Sequence, residues 1–157
     1  MTERVTLEPG MPAPEFSLTD QDGNVLSLAD LRGTRVIVFF YPQAMTPACT
    51  MQACEFQEST EPLEAAGFRV LGISRDDVEK LKRFADRDSI EYPLLSDPDT
   101  EVHRAYGAFG EKNSYGRIVE GVIRSTFVID SEGKIEHALY NVKATGHVAR
   151  VRKLLSV

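Results

Sequence analysis

Cys49 and Cys54 are the only cysteines in a chain of 157 residues, and they share the run TPACTMQAC, residues 46–54. A thiol attacks electrophiles and binds metals as the thiolate, so the setting of each cysteine decides what it can do. Thr46 is a residue type favoured at a helix N-cap, and Pro47 suits the first helical position, where its missing N–H costs nothing. That register puts Cys49 in the first turn, among unpaired backbone N–H groups at the positive end of the helix dipole, a place that favours the thiolate. If Cys54 lies on the same helix, the two Cα atoms are about 8.7 Å apart, beyond the roughly 4.4–6.8 Å that a disulfide spans. Bridging the pair then requires the helix start to unwind, or the helix to begin elsewhere. Pro62 cannot donate to the carbonyl of Glu58, so the helix is expected to be short or broken there, and a short helix is easier to open.

Other readings of the pair stay open at this point. Free cysteines are often buried small hydrophobes. Zinc would need two further ligands, and His103, His137 and His147 are scattered without ligand spacing, as surface or strand residues would be. The spacing is also not the C-x-x-C of a dithiol oxidoreductase. Bulk properties narrow the choice. A net charge of −6 argues against nucleic-acid binding. No stretch approaches about 18 consecutive apolar residues, so no membrane span is expected. The opening MTERVTLEPGMP has no apolar segment long enough for a signal peptide, which makes a cytoplasmic address the expectation. Thiols are kept reduced there, so a close cysteine pair reads as chemical rather than as a permanent staple. Apolar content of 42% and charged content of 27% are those of a globular protein, and the length fits one domain, residues 1–157.

The elements that must position the thiols follow from hydrophobic patterning. PEFSLTD (14–20) and VLSL (25–28) alternate around the turn QDGN as an N-terminal hairpin. RVIVFFY (35–41) and FRVLGIS (68–74) are apolar runs of the kind buried on both faces of a sheet. A helix starts near Thr46, and DDVEKLKRFADR (76–87) places Val78, Leu81 and Phe84 on one stripe of another. YPLLSD (92–97) reads as a short strand, EVHRAYGAF (101–109) contains a short helix, and GEKNSYGR (110–117) is polar and glycine-flanked, as a loop would be. IRSTFVID (123–130) and IEHALY (135–140) form a hairpin around SEGK, and ATGHVARVRKLLSV (144–157) closes the chain with an amphipathic helix. The expected fold is α/β: a thioredoxin-like fold with an N-terminal β-hairpin extension and a central mixed sheet flanked by helices.

PQAMTPAC, with Pro42, Thr46 and Cys49 in the pattern P-x-x-x-T-x-x-C, resembles the active-site signature of peroxiredoxins. The longer run FFYPQAMTPACTMQAC is similar to their bacterioferritin-comigratory (Q-type) subgroup, in which the resolving cysteine lies five residues after the peroxidatic one. RSTFVID (124–130) resembles the segment that supplies the family's active-site arginine, and APEFSLTDQDGNVLSL, LLSD, GEK and DSEGKIEH extend the likeness along the chain. The resemblance implies a thioredoxin-dependent thiol peroxidase acting on hydrogen peroxide and organic hydroperoxides, with no metal and no other cofactor. Cys49 would be peroxidatic and Cys54 resolving, through an intramolecular disulfide recycled by thioredoxin or a similar dithiol. An internal pair needs no partner subunit, so a monomer is expected. Thr46 would offer its hydroxyl to the helix start and to thiolate or peroxide. Arg124 would hold the thiolate and the charge developing on the departing oxygen, and Pro42 would shape the loop over the sulfur.

Two positions depart from the family pattern. Ala48 stands where glycine is usual, and Gln52 where many relatives have Glu. Gln52 retains hydrogen bonding without charge, and an exposed helix position is its alternative reading. Met45 and Met51 are expected to pack around the site. Against the peroxidase reading stand a general thiol–disulfide oxidoreductase, and a peroxide-sensing or chaperone-like protein that is oxidised without turnover.

Overall fold

The computed structural model describes residues 4–114 and 116–157. Its centre is a seven-stranded sheet in the order β2-β1-β5-β4-β3-β8-β9. The strands are β1 (Ser17–Thr19), β2 (Val25–Ser27), β3 (Arg35–Phe40), β4 (Phe68–Ser74), β5 (Leu94–Ser96), β8 (Ser125–Ile129) and β9 (Ile135–Leu139). Strands β3, β4 and β5 run parallel, while β8 pairs antiparallel with β3 and the N-terminal hairpin joins antiparallel through β1 and β5. The expected N-terminal hairpin, β1 with β2, forms one edge of this sheet.

β3 explains why the sheet is buried on both sides. Its residues alternate: Ile37 and Phe39, with the following Tyr41, enter one apolar cluster, whereas Val36, Val38 and Phe40 enter the other. The first cluster lies under α1 (Pro47–Glu58), α2 (Thr60–Ala65), α3 (Val78–Asp88) and α5 (His147–Leu155), through Phe56, Leu63, Leu81, Phe84, Val148 and Val151. The second is closed by Leu7, Phe16, Leu28 and by α4 (Glu101–Ala105) with Tyr106 beyond its end. Gly72 of β4 makes room for the ring of Phe39. A Cβ there would stand 3.0 Å from the tip of the Phe39 ring, which is the close approach a glycine inside a strand often marks.

The helix that begins at Thr46 ends at Ser59 and restarts, so Pro62 falls in the first turn of α2, where no donor is needed. On α3, the Asp77 carboxylate accepts from the Lys80 N–H at 2.8 Å and caps the helix.

One expected loop is a pair of strands. GEKNSYGR lies within a second, two-stranded sheet of β6 (Phe109–Ser114) and β7 (Arg117–Val122); Tyr115 lies outside the described residues. This hairpin stands apart from the main sheet, with β7 largely exposed. Backbone pairing holds it, and such a strand carries no apolar alternation to announce it.

Two histidines expected at the surface or on strands are buried. His103 is fully enclosed, with Nδ1 2.6 Å from the Asp97 carboxylate. Burial opposes charge on Asp97, but hydrogen bonds from the His103 side chain and backbone and from the Val102 N–H outweigh it and lower its pKa. His147 opens α5, with its Nε2 2.8 Å from the Thr126 hydroxyl. Burial, and secondarily the charges of Arg150 and Arg124, push its pKa down to about 4. Between pH ~6.5 and that value the unfolded chain takes up a proton that the folded chain refuses. Stability therefore falls as pH drops through this window, by up to about 3 kcal/mol from this residue, and is fully present above it. Urea midpoints from pH 7 to 4 will show this slope in the wild type and a flatter one in His147→Gln. Equal slopes would mean that another group takes up the proton.

Candidate functional site

The carboxyl ends of parallel strands are where open α/β sheets place ligands, and both cysteines follow the end of β3. Tyr41 and Pro42 leave the strand, and a turn through Met45, at φ +65°, brings the chain to Thr46. Left-handed backbone is unusual for a residue other than glycine and needs holding from outside. Two hydrogen bonds flank this one. The Thr46 hydroxyl donates to the Gln43 carbonyl at 2.8 Å, and the Ala44 N–H donates to the Asp76 carboxylate at 2.7 Å.

Thr46 is the N-cap by backbone conformation, and its carbonyl accepts the Thr50 N–H at 2.8 Å. Its hydroxyl caps no helix N–H, however, because it is turned back into the loop. Pro47 occupies the first helical position, and Cys49 the third, as the sequence predicts. Cys49 is 1% exposed, so whatever reaches its sulfur must be small or must enter from the loop side.

Arg124 meets that sulfur. It lies between β7 and β8, and the register that pairs Ser125 with Phe40 sets it beside the end of β3. Its own carbonyl is pinned by the Val142 N–H at 3.0 Å. Nη2 donates to Sγ of Cys49 at 3.2 Å, and Nη1 donates to Oε1 of Gln52. Gln52 is three residues beyond Cys49 and therefore on the same helix face. It is fully buried, with its amide nitrogen unpartnered among the described residues, so the exposed reading of this position does not hold. The guanidinium thus spans two side chains of α1, and its planar fork suits that task. Tyr41 adds a buried hydroxyl nearby, its pKa raised chiefly by burial.

Cys54 is set apart from this group, half-buried on the same helix. Burial, with the Asp88 and Glu58 carboxylates, raises its pKa, and Arg87 only partly offsets them. Both cysteines are free thiols. The adjoining segments clasp the helix between them: Arg87 donates to the Thr50 hydroxyl at 3.0 Å, the Tyr92 hydroxyl to the Ala53 carbonyl at 2.8 Å, and the Glu91 N–H to the Gln57 side chain at 2.7 Å. Met45 packs partly buried against the first apolar cluster.

The structure thus brings Cys49, Gln52 and Arg124 into contact, with Thr46 in the loop behind them and Pro42 at its start. Asp76 was missed in the sequence, where its one signal is a Ser-x-Asp at the end of the second buried strand. Among the described residues, no group of three or more His, Cys, Asp or Glu side chains could hold a metal ion, and no helix is long and apolar enough to cross a membrane.

The AhpC/TSA family pattern matches residues 9–138. Over all of both chains, the sequence is 59% identical to a Mycobacterium tuberculosis protein named as a peroxiredoxin. It is 48% identical to peroxiredoxin Bcp of Escherichia coli, over 90% of each chain. Among solved structures, the Xanthomonas campestris bacterioferritin comigratory protein superposes with a TM-score of 0.86 at 32% identity, over 98% of both chains. The Mycobacterium tuberculosis peroxidoxin BcpB gives 0.83 at 32% identity, over 96% of this chain and 97% of that one.

Proposed function

We propose that this chain, which belongs to the AhpC/TSA family, reduces peroxides by attack of the Cys49 sulfur on the O–O bond. Its relatives are peroxiredoxins, and it is likewise an enzyme, a peroxidase that takes a peroxide and a thiol reductant. The observation that carries the assignment is the Arg124 guanidinium 3.2 Å from Sγ of Cys49 in the first turn of α1. A fixed cation there stabilises the negative charge that develops on the oxygen that leaves.

In the first step a Cys49 thiolate bonds to one peroxide oxygen as the O–O bond breaks. The other oxygen departs with a proton as water or an alcohol, and Cys49 becomes a sulfenic acid. The Cys49 N–H lines the approach, Gln52 orients Arg124, and Pro42 and Thr46, the latter through its bond to the Gln43 carbonyl, set the course of the loop. The Cys54 thiol then attacks the oxidised sulfur and expels water, leaving a disulfide. A thioredoxin-type dithiol returns two electrons and two protons to regenerate both thiols.

Closing that bridge cannot occur within a regular helix, where the Cα atoms stay about 8.7 Å apart. The first turns of α1 must open, freeing Thr50 from Arg87 and the Ala53 carbonyl from Tyr92. With its raised pKa, Cys54 remains mostly a thiol until then. The two cysteines thus divide the work, one meeting peroxide and the other answering it. The enzyme acts as a monomer.

Intact mass after one equivalent of hydrogen peroxide tests the scheme. Wild type will become lighter by about 2 Da, Cys54→Ser heavier by about 16 Da, and Cys49→Ser will remain unmodified. Oxidation of Cys49→Ser at the wild-type rate would sink the assignment.

A further inference from the structure

Asp76 touches neither cysteine, yet it holds the segment on which the reactive geometry depends. We infer that Asp76 is a positioning residue for the peroxide step, acting through the backbone of Ala44. The inference rests on the assignment of Cys49 as the attacking sulfur. The Asp76 side chain is 9% exposed, and its Oδ2 accepts both the Ala44 N–H at 2.7 Å and the Ser74 hydroxyl at 2.8 Å. Its Oδ1 pairs with Lys80 at 3.2 Å, its own N–H donates to the Ser74 hydroxyl at 3.2 Å, and its carbonyl accepts from Ser96 at 2.6 Å. The carboxylate is therefore held by the end of β4 and the start of α3, and the residue's backbone by β5.

What it fixes in turn is the turn before α1. Ala44 is 2% exposed and immediately precedes Met45, the residue in left-handed backbone. The Asp76 bond and the Thr46 hydroxyl bond flank that turn on its two sides. Arg124 reaches the site on an independent element, tied to the sheet through β8 and to Val142. The 3.2 Å contact between Nη2 and Sγ is thus the distance between two separately anchored parts. Releasing one anchor changes that distance, and a displacement of about 1 Å at a reacting centre costs on the order of 100-fold. A charge on the acceptor is not required for this role. An amide oxygen at the same place can still accept the Ala44 N–H, through a weaker bond than the carboxylate makes.

Single-turnover oxidation of Cys49 by hydrogen peroxide in a Cys54→Ser background, followed by intact mass, separates the possibilities. Asp76→Ala is expected to lower the second-order rate about 10- to 100-fold, while Asp76→Asn stays within about threefold of the parent. Circular dichroism will show both folded at 25 °C. A folded Asp76→Ala that reacts at the parent rate overturns the inference, as does an Asp76→Asn that loses as much as the alanine variant, which would make the charge decisive. If Asp76→Ala does not fold, Asp76→Asn decides alone: retention supports the role and a tenfold loss overturns it. Failure of the Cys49 assignment is seen separately, as oxidation of Cys49→Ser.

Discussion

Replacing Arg124 with alanine will slow the reaction of Cys49 with peroxide by about 10² to 10³, or roughly 3–4 kcal/mol in the barrier. The residue supplies two things at once. Nη2 sets positive charge beside the sulfur, and Nη1 engages the amide of Gln52, which is fully buried and already has one polar atom unpartnered among the described residues. Alanine removes the cation and leaves the amide wholly unsatisfied, which also costs about 1–3 kcal/mol of stability. Arg124→Lys will recover only part of the rate, because an ammonium cannot address sulfur and amide together through a planar fork. Single-turnover oxidation in a Cys54→Ser background measures the effect without interference from the resolving step. A rate within threefold of wild type in Arg124→Ala would remove the guanidinium from the mechanism.

Phe39→Ala will cost about 3–5 kcal/mol of folding free energy, a large share of the roughly 5–15 kcal/mol that separates folded from unfolded domains. The side chain is wholly buried near the carboxyl end of β3. Its ring stacks on Phe56 at 4.7 Å, meets Tyr41 at 5.4 Å and Tyr92 at 5.9 Å, and lies over the glycine at position 72. Gly72 offers no side chain to move into the space, so collapse of the cavity must come from the aromatic neighbours and Leu94. Phe56 belongs to α1 and Tyr92 clasps it, so the same cavity loosens the helix that carries both thiols. Urea unfolding gives the stability change directly; a loss below about 1.5 kcal/mol would mean that the rings close over the gap.

The strands and helices that the sequence announces most clearly are those whose burial is periodic. β3 and β4 read as buried runs because both of their faces are covered, and α3 shows its stripe of Leu81 and Phe84 because only one of its faces is. β6 and β7 escaped because a hairpin outside the main sheet has no apolar face to display. Cys49 was legible as the third residue of a helix from Thr46 and Pro47 alone. Arg124, by contrast, is one of many arginines until its segment is matched to a family, since its contact depends on how β8 pairs with β3. The burial of Gln52, His103 and His147 was hidden for the same reason: each is enclosed by elements distant in sequence. The Thr46 hydroxyl was expected to face the helix, but a nearer carbonyl in the turn takes it.

The sulfur of Cys49 and the guanidinium that addresses it are 75 residues apart in the chain. At about 5–20 residues per second, the ribosome delivers the second some 4–15 s after the first. In that interval β3 lacks its neighbour β8, and Cys49 has no cation beside it. A chain still being made, or one that has lost its fold, therefore exposes two ordinary thiols. On the mechanism proposed above, sensitivity to peroxide appears only once β8 has paired with β3, and it is lost when that pairing is lost.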